Sequence, residues 1–133
     1  MSVNVKISSK KSKRSGKTVP AQGRVYIKST YNNCIVMIAN AKGQKIIQES
    51  GGSAGFKNSR KSTSEAAEVA AKKAAEFVKA RGMTNVDVKL NGFGPGREGA
   101  IRGLHVSGLT VSSLEDLTGI PHNGVKRKKR KRN

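Results

Sequence analysis

Several things are scarce in this chain. It has one cysteine, Cys34, so neither a disulfide framework nor a thiolate zinc site can be built. It has two histidines, His105 and His122, and no His/Asp/Glu cluster with metal-ligand spacing, so no metal and no cofactor is expected. No run approaches the roughly 20 apolar residues a membrane span needs, which excludes an integral helical membrane protein. The start, Met-Ser-Val-Asn-Val-Lys, lacks the apolar stretch of about 7–15 residues that a secretory signal carries. A reducing, cytoplasmic setting is the expectation. Acidic residues number only 8, against 27 lysines and arginines, and the net charge is +19 on 133 residues.

That charge is unevenly placed. Residues 1–23 hold Lys6, Lys10, Lys11, Lys13, Arg14 and Lys17 with no acid, and residues 126–132 are all basic: Lys126, Arg127, Lys128, Lys129, Arg130, Lys131 and Arg132. Residues 24–125 carry all 8 acids and a net charge of only +6. The chain therefore reads as one domain over residues 24–125 between a basic N-terminal extension (1–23) and a basic C-terminal tail (126–133). Such tails have too little apolar surface to offset the entropy of ordering and extend by self-repulsion until a polyanion supplies counter-charge. Solubilisation or a localisation signal is the plainer reading, but two tails plus a basic body exceed what either needs.

Within the body, periodicity predicts the elements. Residues 24–31 alternate, with Val25, Ile27 and Ser29 on one face and Tyr26 and Lys28 on the other. Asn32-Asn33 supplies turn chemistry. Residues 34–39 form a continuously apolar run, expected as a strand covered on both faces. A third strand is expected over 45–49. Gly51-Gly52-Ser53-Ala54-Gly55 breaks the pattern, and Ser62-Thr63-Ser64-Glu65 reads as a capping box with Ser62 as the cap. Residues 64–81 carry the strongest helical signal, with Ala66, Ala70, Ala74, Phe77 and Val78 on one face. A strand over 86–90, a shorter helix over 97–106 and a strand over 109–117, with Leu109, Val111 and Leu114 packing, complete the order βββαβαβ. The fold class is α/β: one mixed sheet flanked by two helices, with basic extended tails.

Two loops share one design of glycines, a basic residue and a helix start. In the first, Gly51, Gly52 and Gly55 lead through Lys57, Arg60 and Lys61 to the long helix; in the second, Gly92, Gly94 and Gly96 lead to Arg97, with Arg102 beyond. Glycine lets backbone amides approach an anion, a helix start adds partial positive charge, and arginine offers a fork matched to phosphate oxygens. The glycines alone fit tight turns equally well; the adjoining cations tip the reading to phosphate contact.

Gly94-Pro95-Gly96-Arg97-Glu98-Gly99 also fits the dinucleotide fingerprint, with Asp116 further on as its acidic partner. Against an enzyme of that kind, the sequence after Gly99 has no room for a second half-domain. A P-loop fails on spacing. Cys34 lies in an apolar run and reads as a small buried hydrophobe. His105 reads as a packed or surface residue, and His122 as a residue suited to stacking or phosphate contact. Tyr26, Tyr31, Phe56, Phe77 and Phe93 are too few for a stacking platform, so recognition of folded RNA by backbone and shape is favoured over base-by-base reading. Asn123-Gly124 is prone to succinimide formation, since glycine leaves the backbone nitrogen unshielded; partial isoaspartate at Asn123 and a plain turn are the two readings.

Four strings then stand out in order: Tyr31-Asn32-Asn33; Gly51-Gly52-Ser53-Ala54-Gly55-Phe56-Lys57-Asn58-Ser59-Arg60-Lys61-Ser62-Thr63; Gly92-Phe93-Gly94-Pro95-Gly96-Arg97-Glu98; and Ile120-Pro121-His122-Asn123-Gly124. Over about residues 20–125 the chain resembles ribosomal protein eleven of the small subunit, in its bacterial or organellar form. The resemblance implies a non-enzymatic constituent of the small subunit, bound to its ribosomal RNA on the platform near the messenger exit. It implies small-subunit proteins six, seven, eighteen and twenty-one as neighbours, messenger RNA nearby, and a place on the ribosome, cytoplasmic or in an organelle. No membrane and no small-molecule substrate are expected.

Carried over by motif, the RNA-contacting positions are Lys57, Asn58, Ser59, Arg60, Lys61, Gly94, Gly96, Arg97, His122, Asn123 and Gly124. Arg102 and the tail residues Lys126, Arg127, Lys128, Lys129 and Arg130 are added on charge. After Asn123-Gly124 the family commonly runs Cys-Arg-Pro-Pro-Lys-Lys-Arg; this chain has Val125-Lys126-Arg127-Lys128, with neither cysteine nor proline. A free-standing RNA or DNA chaperone and a small nucleotide-binding enzyme are the alternatives.

Overall fold

The computed structural model describes residues 19–132, so the N-terminal cations Lys6 to Lys17 lie outside the described residues. Seven elements follow in the expected order: β1 (Gln22–Ser29), β2 (Cys34–Asn40), β3 (Lys45–Ser50), α1 (Ser64–Lys79), β4 (Asn85–Asn91), α2 (Gly96–Val106) and β5 (Thr110–Asp116). They build one mixed sheet in the order β3-β2-β1-β4-β5. The β1–β2 and β2–β3 pairs are antiparallel, and β1–β4 and β4–β5 are parallel.

Alternation decides which face is buried. Val25 lies between Ile38 and Val88, and Ile27 between Val36 and Leu90, so these side chains form one apolar layer. Both helices pack on that layer, side by side. Gly96, Gly99, Ala100 and Gly103 of α2 face the alanine stripe of α1. A Cβ at Gly103 would sit 2.6 Å from the Glu68 carbonyl and 2.9 Å from Ala71 Cβ, and one at Gly99 would collide with the Ser64 carbonyl. The small residues of α1 thus admit a second helix as well as the sheet. Lys79 Nζ closes the pair at the far end by donating to the Ser107 carbonyl at 3.0 Å, a cation at the C-terminal end of α2.

Four local expectations are corrected. β1 spans Gln22–Ser29 and ends before Thr30, whose amide donates to the Asn33 carbonyl (2.9 Å) and whose hydroxyl accepts from the Asn33 amide (3.1 Å). The turn therefore opens at Thr30 rather than Asn32. β2 is not covered on both faces: Cys34, Val36 and Ile38 are buried, while Ile35 and Met37 are half-exposed on the face without helices. Thr63, not Ser62, caps α1, accepting from the Ala66 amide at 3.3 Å. Ser62 instead closes the 3-10 turn Asn58–Ser62, donating to the Ser59 carbonyl at 3.3 Å, and this extra turn moves the helix start on by one residue. Leu114 is 56% exposed: it pairs with Val88 on the helix side, but β5 is an edge strand with no neighbour beyond it to cover the side chain. Leu109 is buried and Val111 half-buried, as expected.

Candidate nucleic-acid interface

The topology brings both glycine loops to the same edge. β1, β3, β4 and β5 run in one direction and β2 in the other. At the C-terminal edge of β1 therefore lie the β1–β2 turn, the β3–α1 loop, the β4–α2 loop, the segment after β5 and the first turns of both helices.

Backbone contacts lock these pieces together. The Gly51 amide donates to the Cys34 carbonyl at 3.0 Å, and a Cβ at Gly51 would meet the Lys61 carbonyl and lie 3.0 Å from Asn33 Oδ1. The Gly94 amide donates to the Ser29 carbonyl at 3.1 Å, and a Cβ at Gly94 would strike the Thr30 carbonyl. Gly94 and Gly96 are both buried, so they hold the loop against β1 and α1 while Phe93, Pro95 and Glu98 face outward. Beneath them lies Cys34, its thiol 4.0 Å from the Gly96 carbonyl. Burial pushes that thiol up to about 11, and the adjoining Ser29 hydroxyl pulls it back slightly. The Ser29 hydroxyl makes no well-formed hydrogen bond of its own: sulfur is a weak partner. Cys34 is a packing residue, as expected.

In the β3–α1 loop, Lys57, Asn58, Ser59 and Arg60 are exposed and Lys61 is half-buried. The Arg60 amide donates to the Lys57 carbonyl at 3.2 Å, and the Thr63 hydroxyl donates to the Arg60 carbonyl at 2.7 Å, so the cations ride on an ordered turn. Residues 51–63 contain no acid. The start of α2 has Pro95 at the cap position and no side-chain cap, which leaves backbone amides facing the edge.

Arg97 is engaged. Its guanidinium donates to Asp116 Oδ2 at 2.6 Å and lies 5.9 Å from the Phe93 ring centre. The other Asp116 oxygen accepts from the Thr118 hydroxyl (2.5 Å) and amide (3.0 Å), and the Thr118 hydroxyl accepts from the Gly92 amide (3.1 Å). The Thr118 hydroxyl, the Thr118 amide and Arg97, in that order, hold the Asp116 carboxyl down at about 2. Sequence reasoning misses this network, although Asp-x-Thr is a side-chain turn signal readable in the sequence.

The nucleotide alternative loses its parts here. Asp116 is neutralised by Arg97, the Gly94 amide is already donated, and Gly99 packs against α1. Arg102 lies away from the loops, its guanidinium 3.9 Å from Glu68, which also pairs with Lys72 at 2.9 Å; these cations lower the Glu68 carboxyl, Lys72 most. His122, Asn123, Gly124 and Lys126 to Arg132 are exposed in an irregular segment that leaves the body beyond Asp116. Asn123 has a positive φ of 63°. Among the described residues no group of acids, histidines or cysteine could hold a metal, and no helix is long and apolar enough to cross a membrane.

The model of the ribosomal protein S11 family matches residues 23–132. The chain belongs to that family. It is 48% identical over 124 residues to small ribosomal subunit protein uS11 of Thermus thermophilus, covering 93% of this chain and 96% of that protein. It is 45% identical over 123 residues to uS11c of Cyanidioschyzon merolae (92% and 98%), and 44% identical over 126 residues to uS11 of Vesicomyosocius okutanii (95% and 98%). The ribosomal protein S11 family is structural rather than enzymatic, so the fingerprint at Gly94 is a packing device and not a catalytic one.

Proposed function

We propose that this member of the S11 family is a structural constituent of the small ribosomal subunit that docks its loop edge on folded ribosomal RNA. The observation that carries the proposal is the convergence of two glycine-and-cation loops, each opening a helix, on one edge of the sheet. Lys57, Arg60 and Lys61 meet phosphates from an acid-free turn. Asn58 and Ser59 add uncharged donors, Gly94 and Gly96 fix the loop that presents Arg97, and His122, Asn123 and Gly124 continue the surface. The tail, with Lys126, Arg127, Lys128, Lys129 and Arg130, threads into RNA and neutralises phosphates; Arg102 contributes from the flank of α2.

The finer placement follows from the family resemblance. The protein sits on the platform near the messenger exit, beside small-subunit proteins six, seven, eighteen and twenty-one. It acts on ribosomes of the cytoplasm or of an organelle, where it helps assemble and stabilise the platform during translation. Co-sedimentation tests this: the chain is expected in small-subunit particles at moderate salt. Its absence there, with binding to naked RNA or DNA retained, would favour the chaperone alternative.

A further inference from the structure

Tyr31 stands in the β1–β2 turn, 78% exposed, and its hydroxyl makes no hydrogen bond with the described residues. An exposed tyrosine alone carries no argument; its surroundings do. Tyr31 lines a shallow cleft of about 500 Å³ together with Asn32, Asn58, Ser59, Lys61 and Ser62, with no acidic side chain among them.

Two further features shape this surface. Gly51 is wedged between the Lys61 carbonyl and Asn33, so the turn bearing Tyr31 and the turn bearing Lys61 are held in contact. Asn58 adopts a left-handed backbone with φ 54°, one of two non-glycine residues with positive φ among those described. Asparagine tolerates that conformation in tight turns, and here it sets the path of the backbone beside the cleft.

We infer that Tyr31 is the stacking platform for one unpaired nucleobase. Lys61 meets the adjoining phosphate, and the Asn32 and Asn58 amides lie at the base's edge. A bare aromatic face attracts a flat, polarisable ring, the cation beside it attracts an anion, and side-chain amides supply both donors and acceptors. A nucleotide in a bulge or single-stranded segment carries all three complements on one unit. The low aromatic content, which weighs against a stacking platform of several rings, does not bear on a single base. The inference rests on the RNA-docking reading and adds to it one interaction that phosphate neutralisation does not require.

The test measures the full chain's affinity for two single-stranded oligomers of equal length and charge: a uridine RNA and its abasic ribose-phosphate counterpart. Both are titrated across a salt series. The intact chain is expected to prefer the base-bearing oligomer by about tenfold. Tyr31→Ala should lose most of that preference while keeping the same slope of log K against log salt, and Tyr31→Phe should retain the preference. Equal affinity of the intact chain for both oligomers, or an undiminished preference in Tyr31→Ala, would overturn the inference. Tyr31→Phe falling together with Tyr31→Ala would overturn it as well, because stacking needs the ring and not the hydroxyl. Salt-independent or absent binding of both oligomers would instead strike the RNA-docking reading itself.

Discussion

The Arg97 guanidinium and the Asp116 carboxylate, 2.6 Å apart, tie the start of α2 to the end of β5. Through Thr118 the same carboxylate reaches the Gly92 amide, so one acid positions both the cation and the loop that presents it. Asp116→Asn is expected to loosen this arrangement while leaving the core intact. Hydrogen exchange at the Gly92 amide should rise, with the amides of β1 and β2 unchanged. Protection equal to that of the parent chain would show that the loop is held by Gly94 alone.

The same network sets a pH window. The folded Asp116 carboxyl lies at about 2, below its ordinary 3.8, so the ionised form is favoured by folding. Its contribution is complete above pH ~4 and is lost as pH falls through about 2. Protection of the Gly92 amide should therefore persist at pH 4 and fall away toward pH 2, as followed by exchange-quench measurements. Loss already between pH 5 and 4 would place the titration elsewhere.

The packing between the helices yields a stability prediction. At Gly103 a branched side chain has the Glu68 carbonyl and Ala71 in its way. Gly103→Val should destabilise the fold by about 1–3 kcal/mol in urea denaturation, since overpacking forces backbone shifts. Gly119→Ala, where nothing lies within 4 Å, should change stability by no more than about 0.5 kcal/mol.

The tail and the body should differ in salt dependence. Deleting residues 126–133 should flatten log K against log salt for RNA, by roughly 0.7–0.9 in slope for each phosphate no longer neutralised. Arg97→Ala removes a positioned fork and about one charge, so it should weaken docking with little change in slope. An unchanged slope after tail deletion would mean that the tail hangs in solvent.

Asn123 is exposed, left-handed and followed by Gly124. Peptide mapping of aged protein should reveal partial isoaspartate at this position and none at Asn40 or Asn91, which are followed by alanine and glycine but lie at the ends of strands. Finding only unmodified Asn123 would contradict the expectation.

Much of this architecture is legible in the sequence because burial follows period. Val25, Ile27, Val86, Val88 and the alanines of α1 declare their faces, and the glycine loops declare themselves by composition. What stays hidden depends on partners distant in sequence. The one-residue shift of the α1 cap comes from the 3-10 turn ahead of it, and the exposure of Leu114 from its place on an edge strand. The capture of Arg97 by Asp116 requires β5 to lie beside β4. The role of Gly94 and Gly96 divides between anion contact and packing only through their burial against β1 and α1, which composition does not reveal. Tyr31 is legible only as part of a motif, because its surroundings are supplied by a loop far along the chain.

The central claim is that the loop edge, and not the helix-free face of the sheet, meets RNA. A residue-resolved protein–RNA cross-linking map on intact small subunits tests it most directly. The account predicts cross-links concentrated at residue 31 and residues 57–61, 93–97 and 122–132. Cross-links concentrated instead at Arg24, Tyr26, Met37 and Gln48 of the open sheet face, or at Lys42 and Arg81 of the opposite edge, would contradict it.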